Sequence, residues 1–261
     1  MQKEHRILKF FMPLLACVYG FGTIYACGVI GGNGFSLPLF CLRVAAQVAL
    51  IALTVWIIRK PLTHLFPQVG AYPIECPAWR VVALLLLITP LWCIMKGKLL
   101  YLLLPGTEMQ TMTYAADELK TDLVLSLSAV FVGPVCEELC FRFLPLAAYK
   151  KKATQVMVGV LAALFFGLLH TKNLLGSFVD ALIFTLVFIF TGQIGISMVL
   201  HGCINLWPMV FCVLVHFGVL EIQNSSVPVI WLIGNGTTLI IAMVMAVMGV
   251  AVYLLGKRKT A

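Results

Sequence analysis

Two adjacent glutamates, Glu137 and Glu138, lie inside an apolar run of helix length, and Arg142 follows them in the same run. Ionisable groups within such a helix cost about 2.5–3.5 kcal/mol each on insertion scales. A helix that contains three of them is expected to pair them with one another or to use them for a function. These residues are therefore the first candidates for chemistry.

Helical spacing separates the two glutamates. Glu138 and Arg142 are four residues apart and share a face, whereas Glu137 is rotated from Glu138 by about 100°. We expect Glu138 to pair with Arg142 and hold the helix in place, and Glu137 to face a polar cavity. The alternative is that both glutamates neutralise basic residues, among which Arg43 of an earlier apolar run is a further candidate.

Further polar groups occur in two later apolar runs. His170 ends the run FFGLLH, and His201 and Asn205 are four residues apart in VLHGCINLW. Alone, His170 is typical of an interfacial histidine, and a His–Asn pair on one face can hydrogen-bond across helices for about 0.6–2 kcal/mol. Together with Glu137, these groups could hold a water molecule, deprotonate it and stabilise an oxyanion.

The elements that must position these residues are membrane helices. Of the 261 residues, 62% are hydrophobic and 11% are charged, whereas soluble domains average roughly 45–50% and 25%. The sequence predicts an all-α, polytopic transmembrane helical bundle, with residues 1–261 as a single integral membrane domain. Eight runs approach the about 20 residues that a span needs, at 8–30, 38–58, 81–104, 122–144, 153–170, 174–191, 193–218 and 228–255.

The net charge of +8 is distributed like that of a membrane protein. Four groups of basic residues fall at alternate loops, which predicts a multi-pass protein of the cell membrane with both termini in the cytoplasm. A nucleic-acid partner is not expected, because the sequence has no basic patch with interleaved aromatic residues. The basic groups are Lys3, Arg6 and Lys9; Arg59, Lys60 and Arg80; Lys150, Lys151 and Lys152; and Lys257, Arg258 and Lys259.

Three ordered motifs resemble those of a known family. EExxxR at 137–142, FxxxH at 166–170 and HxxxN at 201–205 are similar to the motifs of the CPBP family. This family comprises the CAAX protease and bacteriocin-processing proteins, also called Abi proteins, and includes the glutamate-dependent CAAX prenyl endopeptidases. The resemblance covers residues 118–210, predicted as a catalytic core. One departure is Phe143, where many members have Gly, and it concerns helix packing near the site.

The resemblance implies an intramembrane endopeptidase that hydrolyses a peptide bond of a small peptide or a lipid-linked protein tail. Its partners would be that substrate and the membrane lipids. In this interpretation Glu137 activates the attacking water, and His170 helps to position or deprotonate it. His201 and Asn205 stabilise the oxyanion. Glu138 and Arg142 support the site.

The same residues raise the question of a metal. Family members are often labelled metalloproteases, and Glu137, His170 and His201 could together hold a divalent metal such as zinc, as His₂Glu sets do. The sequence lacks the HExxH helix that supplies the usual zincin base. We therefore favour metal-independent activation of water, with no cofactor required.

Two other functions fit the same composition. One is a non-catalytic membrane protein that confers bacteriocin immunity by binding, and it would tolerate Glu137→Gln. The other is a proton-coupled transporter in which carboxylates and histidines relay protons. The transporter is the weaker alternative, because the sequence lacks the paired interrupted helices typical of inverted-repeat transporters.

Overall fold

The computed structural model describes residues 37–59, 72, 74–103, 119–170 and 173–217. Within these ranges every element is helical. In chain order they are α1 (Leu37–Arg59), α2 (Trp79–Leu103), α3 (Leu119–Glu138), a π-helix (Leu139–Phe143), α4 (Leu144–Ala147), α5 (Lys152–Leu169), α6 (Leu174–Thr191) and α7 (Ile194–His216). The all-α prediction is confirmed for this part of the chain.

The predicted spans correspond to these helices where the structure describes them. The spans predicted at 153–170 and 174–191 are α5 and α6, and both helices are long and apolar enough to cross a membrane. Four further predicted spans coincide with α1, α2, the helix that begins with α3, and α7. The spans predicted at 8–30 and 228–255 lie outside the described residues, and the count of eight stays a prediction.

The chain divides into two compact units, within α3 and again within α7. Among the described residues, those up to 76 and those at 131–198 belong to the first unit, and those at 77–130 and from 199 onward belong to the second. The single membrane domain stays a prediction, as does the 118–210 core.

The core of the first unit surrounds a change of helix type directly after Glu138. α3 ends there, five residues form the π-helix, and α4 continues to Ala147. Residues 138–148 are all buried, and apolar side chains of α5 and α6 pack around them. Phe143, the departure from the family pattern, is fully buried with its ring centroid 6.1 Å from that of Phe188. The expectation of uninterrupted α-helical spacing is wrong at residues 139–143, because the turns of a π-helix close from residue i to i+5.

Glycines bring α5 and α6 together as a hairpin. A Cβ atom at Gly159 would collide with the Cγ2 methyl of Thr185, and one at Gly167 would lie 2.8 Å from the Leu174 carbonyl oxygen and 2.9 Å from the Phe178 Cβ. Such small residues let helix backbones approach closely within a membrane. The opposite face of α5 exposes seven large apolar residues: Val156, Met157, Val160, Leu161, Leu164, Phe165 and Leu168.

Gln155 ties the start of α5 to the turn that precedes it. Its Nε2 atom lies 2.9 Å from the Tyr149 carbonyl oxygen, 3.1 Å from that of Leu146 and 2.7 Å from the Tyr72 hydroxyl. The Tyr72 ring in turn packs on Phe188 of α6, with centroids 4.9 Å apart. A buried polar side chain thus adds hydrogen bonds to two carbonyls at the turn after α4, one of which, that of Leu146, also accepts from the Tyr149 N–H at 3.1 Å.

The second unit packs α2, the first half of α3 and most of α7. Pro208 has no N–H for the Ile204 carbonyl four residues earlier in α7, and this carbonyl accepts a hydrogen bond from the Cys93 thiol of α2 at 3.8 Å. The Trp207 indole donates to Thr89 of α2 at 3.0 Å. Polar contacts therefore join α7 to α2 around the proline.

A glycine sets the distance between α7 and α3 in this second unit. A Cβ atom at Gly202 would lie 2.8 Å from the carbonyl oxygen of Val130. Pro134 has no N–H for this same carbonyl. The close approach places the turn of α7 that carries Asn205 beside the turn of α3 that contains Ala129 and Val130.

Candidate functional site

The predicted pair of Glu138 and Arg142 is present and completely buried. The Arg142 Nη1 atom lies 3.0 Å from the Glu138 Oε1 atom, and neither side chain has exposed surface. The second carboxylate oxygen, Oε2, accepts a hydrogen bond of 2.6 Å from the hydroxyl of Ser197 in α7. Both oxygens of Glu138 are thereby oriented, one by a cation and one by a hydroxyl.

Aromatic rings surround the Arg142 guanidinium. Its Cζ atom lies 4.5 Å from the Phe166 ring centroid, 5.3 Å from that of Phe184 and 6.0 Å from that of Phe141. A cation within about 6 Å of a ring face is attracted to it, by about 2 kcal/mol or more where both groups are desolvated. The rings thus help to offset the cost of burying the guanidinium, which is several kcal/mol for an ion in an apolar interior.

Glu137 differs from its neighbour in its surroundings. It is the penultimate residue of α3 and remains partly exposed, whereas Glu138 is completely buried. The predicted division of the two glutamates therefore corresponds to a real difference in accessibility. A partly exposed carboxylate beside a buried ion pair has access to water, which a general base requires.

His170 is held in a defined tautomer at the end of α5. Its Nδ1 atom lies 2.8 Å from the Phe166 carbonyl oxygen. Because a carbonyl only accepts, Nδ1 must carry the proton, and in the neutral ring the lone pair is then on Nε2. The imidazole also packs on the Phe166 ring, with centroids 4.4 Å apart and planes inclined by 33°.

The first unit therefore connects three of the predicted residues through Phe166. The ring of Phe166 contacts Arg142, and both its ring and its carbonyl contact His170. Arg142 is paired with Glu138, so a continuous set of contacts leads from the end of α3 to the end of α5. Phe166 and His170, the two defined residues of the FxxxH motif, are direct neighbours in space.

Asn205 and His201 belong to the second unit. The Asn205 Nδ2 atom donates a hydrogen bond of 2.8 Å to the Ala129 carbonyl oxygen. This contact fixes the orientation of the amide, and Nδ2 carries one more hydrogen. His201 is buried, four residues earlier on α7. The assembly of this pair with Glu137 and His170 in one site stays a prediction.

A divalent metal on Glu137, His170 and His201, and Arg43 as a partner of the glutamates, were the alternatives that the sequence left open. Among the residues that the structure describes, no three His, Cys, Asp or Glu side chains form a cluster suited to a metal ion. Activation of water without a metal stays the prediction, and a metal held by Glu137, His170 and His201 stays the alternative. The side chain of Arg43, the other proposed partner, lies outside the described residues.

Two features of this region escaped the sequence reasoning. Ser197 is one helical turn before His201 on α7 and is completely buried, but a lone serine in an apolar run gives no sign of a carboxylate partner. The π-helix has no sequence signature that we could have used. The one available signal was the position of Ser197, because a polar group four residues before His201 shares its face.

Comparison with known proteins finds one matching family model in the middle of the chain. Residues 119–207 match the family model described as Type II CAAX prenyl endopeptidase Rce1-like. No curated protein and no solved structure matches the chain. The matched region begins with α3 and ends within α7, and it contains all six predicted site residues.

Proposed function

Since the chain carries an Rce1-like domain of the CAAX protease family at residues 119–207, we propose that it is an intramembrane endopeptidase with Glu137 as its general base. The observation that carries the proposal is the contrast between the adjacent glutamates. Glu138 is buried against Arg142 and Ser197, whereas Glu137 is partly exposed in the same turn of helix.

The proposed reaction begins with a water molecule between Glu137 and His170. The Glu137 carboxylate accepts one proton of the water, while the Nε2 lone pair of His170 accepts a hydrogen bond from the other. The Nδ1 proton is engaged by Phe166 at 2.8 Å, which supports this role for Nε2. The resulting hydroxide attacks the carbonyl carbon of the peptide bond and forms a tetrahedral oxyanion.

In the second step His201 and Asn205 stabilise the oxyanion. The remaining Nδ2 hydrogen of Asn205 and a ring N–H of His201 are the proposed donors. A donor whose orientation is fixed in advance needs no reorganisation during the reaction, and the bond from Asn205 to Ala129 supplies such an orientation. The C–N bond then breaks, Glu137 returns its proton to the leaving amine, and the products are a carboxylate and an amine.

The proposed substrate is a prenylated protein tail. The matching family model is described as a prenyl endopeptidase, and an attached prenyl chain partitions into the bilayer, where it would bring the tail to a membrane-embedded site. Bilayer lipids are the other expected partners. The cell membrane is the proposed location, with a multi-pass topology and both termini in the cytoplasm.

The test uses the full chain in liposomes and two synthetic peptides in which cysteine is the fourth residue counted from the C-terminus. The cysteine is farnesylated in one peptide and unmodified in the other. Mass spectrometry should detect release of the last three residues from the farnesylated peptide. Glu137→Gln should abolish this release, while Glu75→Gln, at an exposed glutamate outside the site, should preserve it. Cleavage that persists in Glu137→Gln would contradict the proposed base. A farnesylated peptide that remains intact with the unmodified chain would contradict the substrate.

The same assay tests metal dependence. We propose that Glu137 activates water without a metal, so incubation with a chelator such as phenanthroline should leave the cleavage rate unchanged. Loss of activity with the chelator, followed by recovery on addition of zinc, would show instead that a metal is required.

A further inference from the structure

The hydroxyl of Ser197 occupies a position that the proposed chemistry does not use. Ser197 is the fourth residue of α7 and is completely buried. Its Oγ atom lies 2.6 Å from the Glu138 Oε2 atom and 3.2 Å from the Phe184 carbonyl oxygen. Hydrogen bonds from a hydroxyl to a carboxylate at 2.5–2.7 Å are among the strong ones in proteins. Such a contact inside an apolar core is expected to constrain both groups.

The constraint on Glu138 extends to Arg142. The Oε2 atom accepts from Ser197 while Oε1 lies 3.0 Å from the Arg142 Nη1 atom. Rotation of the carboxylate would disturb both contacts together. The hydroxyl therefore holds the carboxylate plane in the orientation that meets the guanidinium.

Arg142 in turn lies against the ring that packs on His170. The guanidinium is 4.5 Å from the Phe166 ring centroid, and the His170 ring is 4.4 Å from that same centroid. A displacement of Arg142 would change the space available to the Phe166 ring. Interiors are close-packed, so small displacements are transmitted to neighbouring side chains.

We propose that Ser197 is a positioning residue for His170, acting through Glu138, Arg142 and Phe166. It touches no substrate in this account. Its effect is to keep the imidazole packed on Phe166 with Nδ1 bound to the carbonyl and Nε2 directed away from it. The catalytic consequence rests on the proposed endopeptidase function, whereas the effect on the imidazole does not.

The kinetic test compares Ser197→Ala with the unmodified chain in the farnesylated-peptide assay. The positioning role predicts that kcat falls about tenfold, a change of ~1.4 kcal/mol, with little change in KM. Ser197→Thr keeps the hydroxyl and should restore most of kcat. An unchanged kcat in folded Ser197→Ala, or a loss that Ser197→Thr does not repair, would overturn the proposal.

A second measurement does not require activity. Diethyl pyrocarbonate acylates the unprotonated nitrogen of a neutral imidazole, and peptide mass spectrometry distinguishes His170 from the other four histidines of the sequence. Ser197→Ala should increase the modification rate of His170, because the ring is no longer held against Phe166. Identical rates in the two proteins would overturn the proposal, even if the unmodified chain proves inactive and the endopeptidase function fails.

The matched control is Thr185→Val. Thr185 is also buried in the first unit, but its hydroxyl donates to the Ala181 carbonyl of its own helix at 2.8 Å. This variant should leave both kcat and the modification rate of His170 unchanged. A modification rate that rises equally in Thr185→Val and Ser197→Ala would indicate a general loss of packing in the first unit and would contradict a specific role of Ser197. If Ser197→Ala does not fold, Ser197→Cys, which keeps only a weak donor, should raise the modification rate of His170 above that of the unmodified chain. No increase would overturn the proposal.

The path through Phe166 has its own control pair. Phe166→Leu removes the ring that contacts both Arg142 and His170, whereas Phe184→Leu removes a ring that lies 5.3 Å from the Arg142 Cζ atom. Faster modification of His170 in Phe166→Leu than in Phe184→Leu supports the path. Equal rates in these two variants would contradict it.

Discussion

The first unit contains a helix that is buried on one face only and a helical segment that is buried at every residue. α5 presents a row of large apolar residues on its outer face and packs its glycine face on α6. The segment from Glu138 through α4 is buried at every residue, yet it contains the charged pair of Glu138 and Arg142. A lipid-facing helix needs only close packing on one side, whereas the enclosed segment needs its polar groups paired with one another.

This contrast predicts where the molecule is sensitive to substitution. In the enclosed segment, removal of one partner leaves a buried charge behind. On the outer face of α5, shortening an apolar side chain removes little packing, because that face meets lipid in the proposed topology. Substitutions in the enclosed segment should therefore destabilise the chain more than substitutions on the outer face of α5.

Arg142→Met should destabilise the chain by about 3–5 kcal/mol, because Glu138 would be left buried without its cation. Thermal unfolding in detergent micelles measures the loss. Combining Arg142→Met with Glu138→Gln should recover part of the stability, since the double variant buries no net charge. If Arg142→Met unfolds at the same temperature as the unmodified chain, the enclosed pair has no structural role.

Gln155→Met should cost about 1–3 kcal/mol, because it removes the donors to two carbonyls and the Tyr72 hydroxyl. The control is Gln193→Met, at an exposed residue between α6 and α7, which should have no effect on the unfolding temperature. Equal unfolding temperatures for the two variants would show that the hydrogen bonds of Gln155 do not stabilise the fold.

Gly167→Ala should destabilise the α5–α6 hairpin by up to about 2 kcal/mol. The added methyl must displace the Leu174 carbonyl or Phe178, and such overpacking typically costs about 1–3 kcal/mol. Alanine is more favourable than glycine in a helix by roughly 1 kcal/mol, which offsets part of this cost. Leu161→Ala, on the outer face of α5, should change the unfolding temperature less, despite its larger change in volume. The reverse order would contradict the contrast between the two faces.

The sequence predicts the helices better than it predicts the site. The apolar runs indicated α5 and α6 to within a residue, because a span must be apolar throughout its length. The pair of Glu138 and Arg142 followed from their spacing of four residues. The π-helix depends on the packing of several elements, and the partner of Ser197 lies 59 residues away in the chain, so local patterns contain neither.

Phe166 shows a second limit of sequence reasoning. The motif FxxxH identified the histidine as the chemical group, and the phenylalanine entered only as part of a resemblance. In the folded chain the ring of Phe166 contacts both Arg142 and His170. Its role became visible only once the contacts were known, because an aromatic residue in an apolar helix is otherwise typical of ordinary packing.

The central claim is that Glu137 and Glu138 have different roles in one turn of helix. The most direct test measures peptide cleavage and unfolding temperature together for Glu137→Gln and Glu138→Gln. We predict that Glu137→Gln lowers the cleavage rate by at least about 100-fold, the usual size of general-base catalysis, and leaves the unfolding temperature unchanged. Glu138→Gln should instead lower the unfolding temperature. Full cleavage activity in Glu137→Gln would contradict different roles for the two glutamates. So would an unfolding temperature that falls as far in Glu137→Gln as in Glu138→Gln.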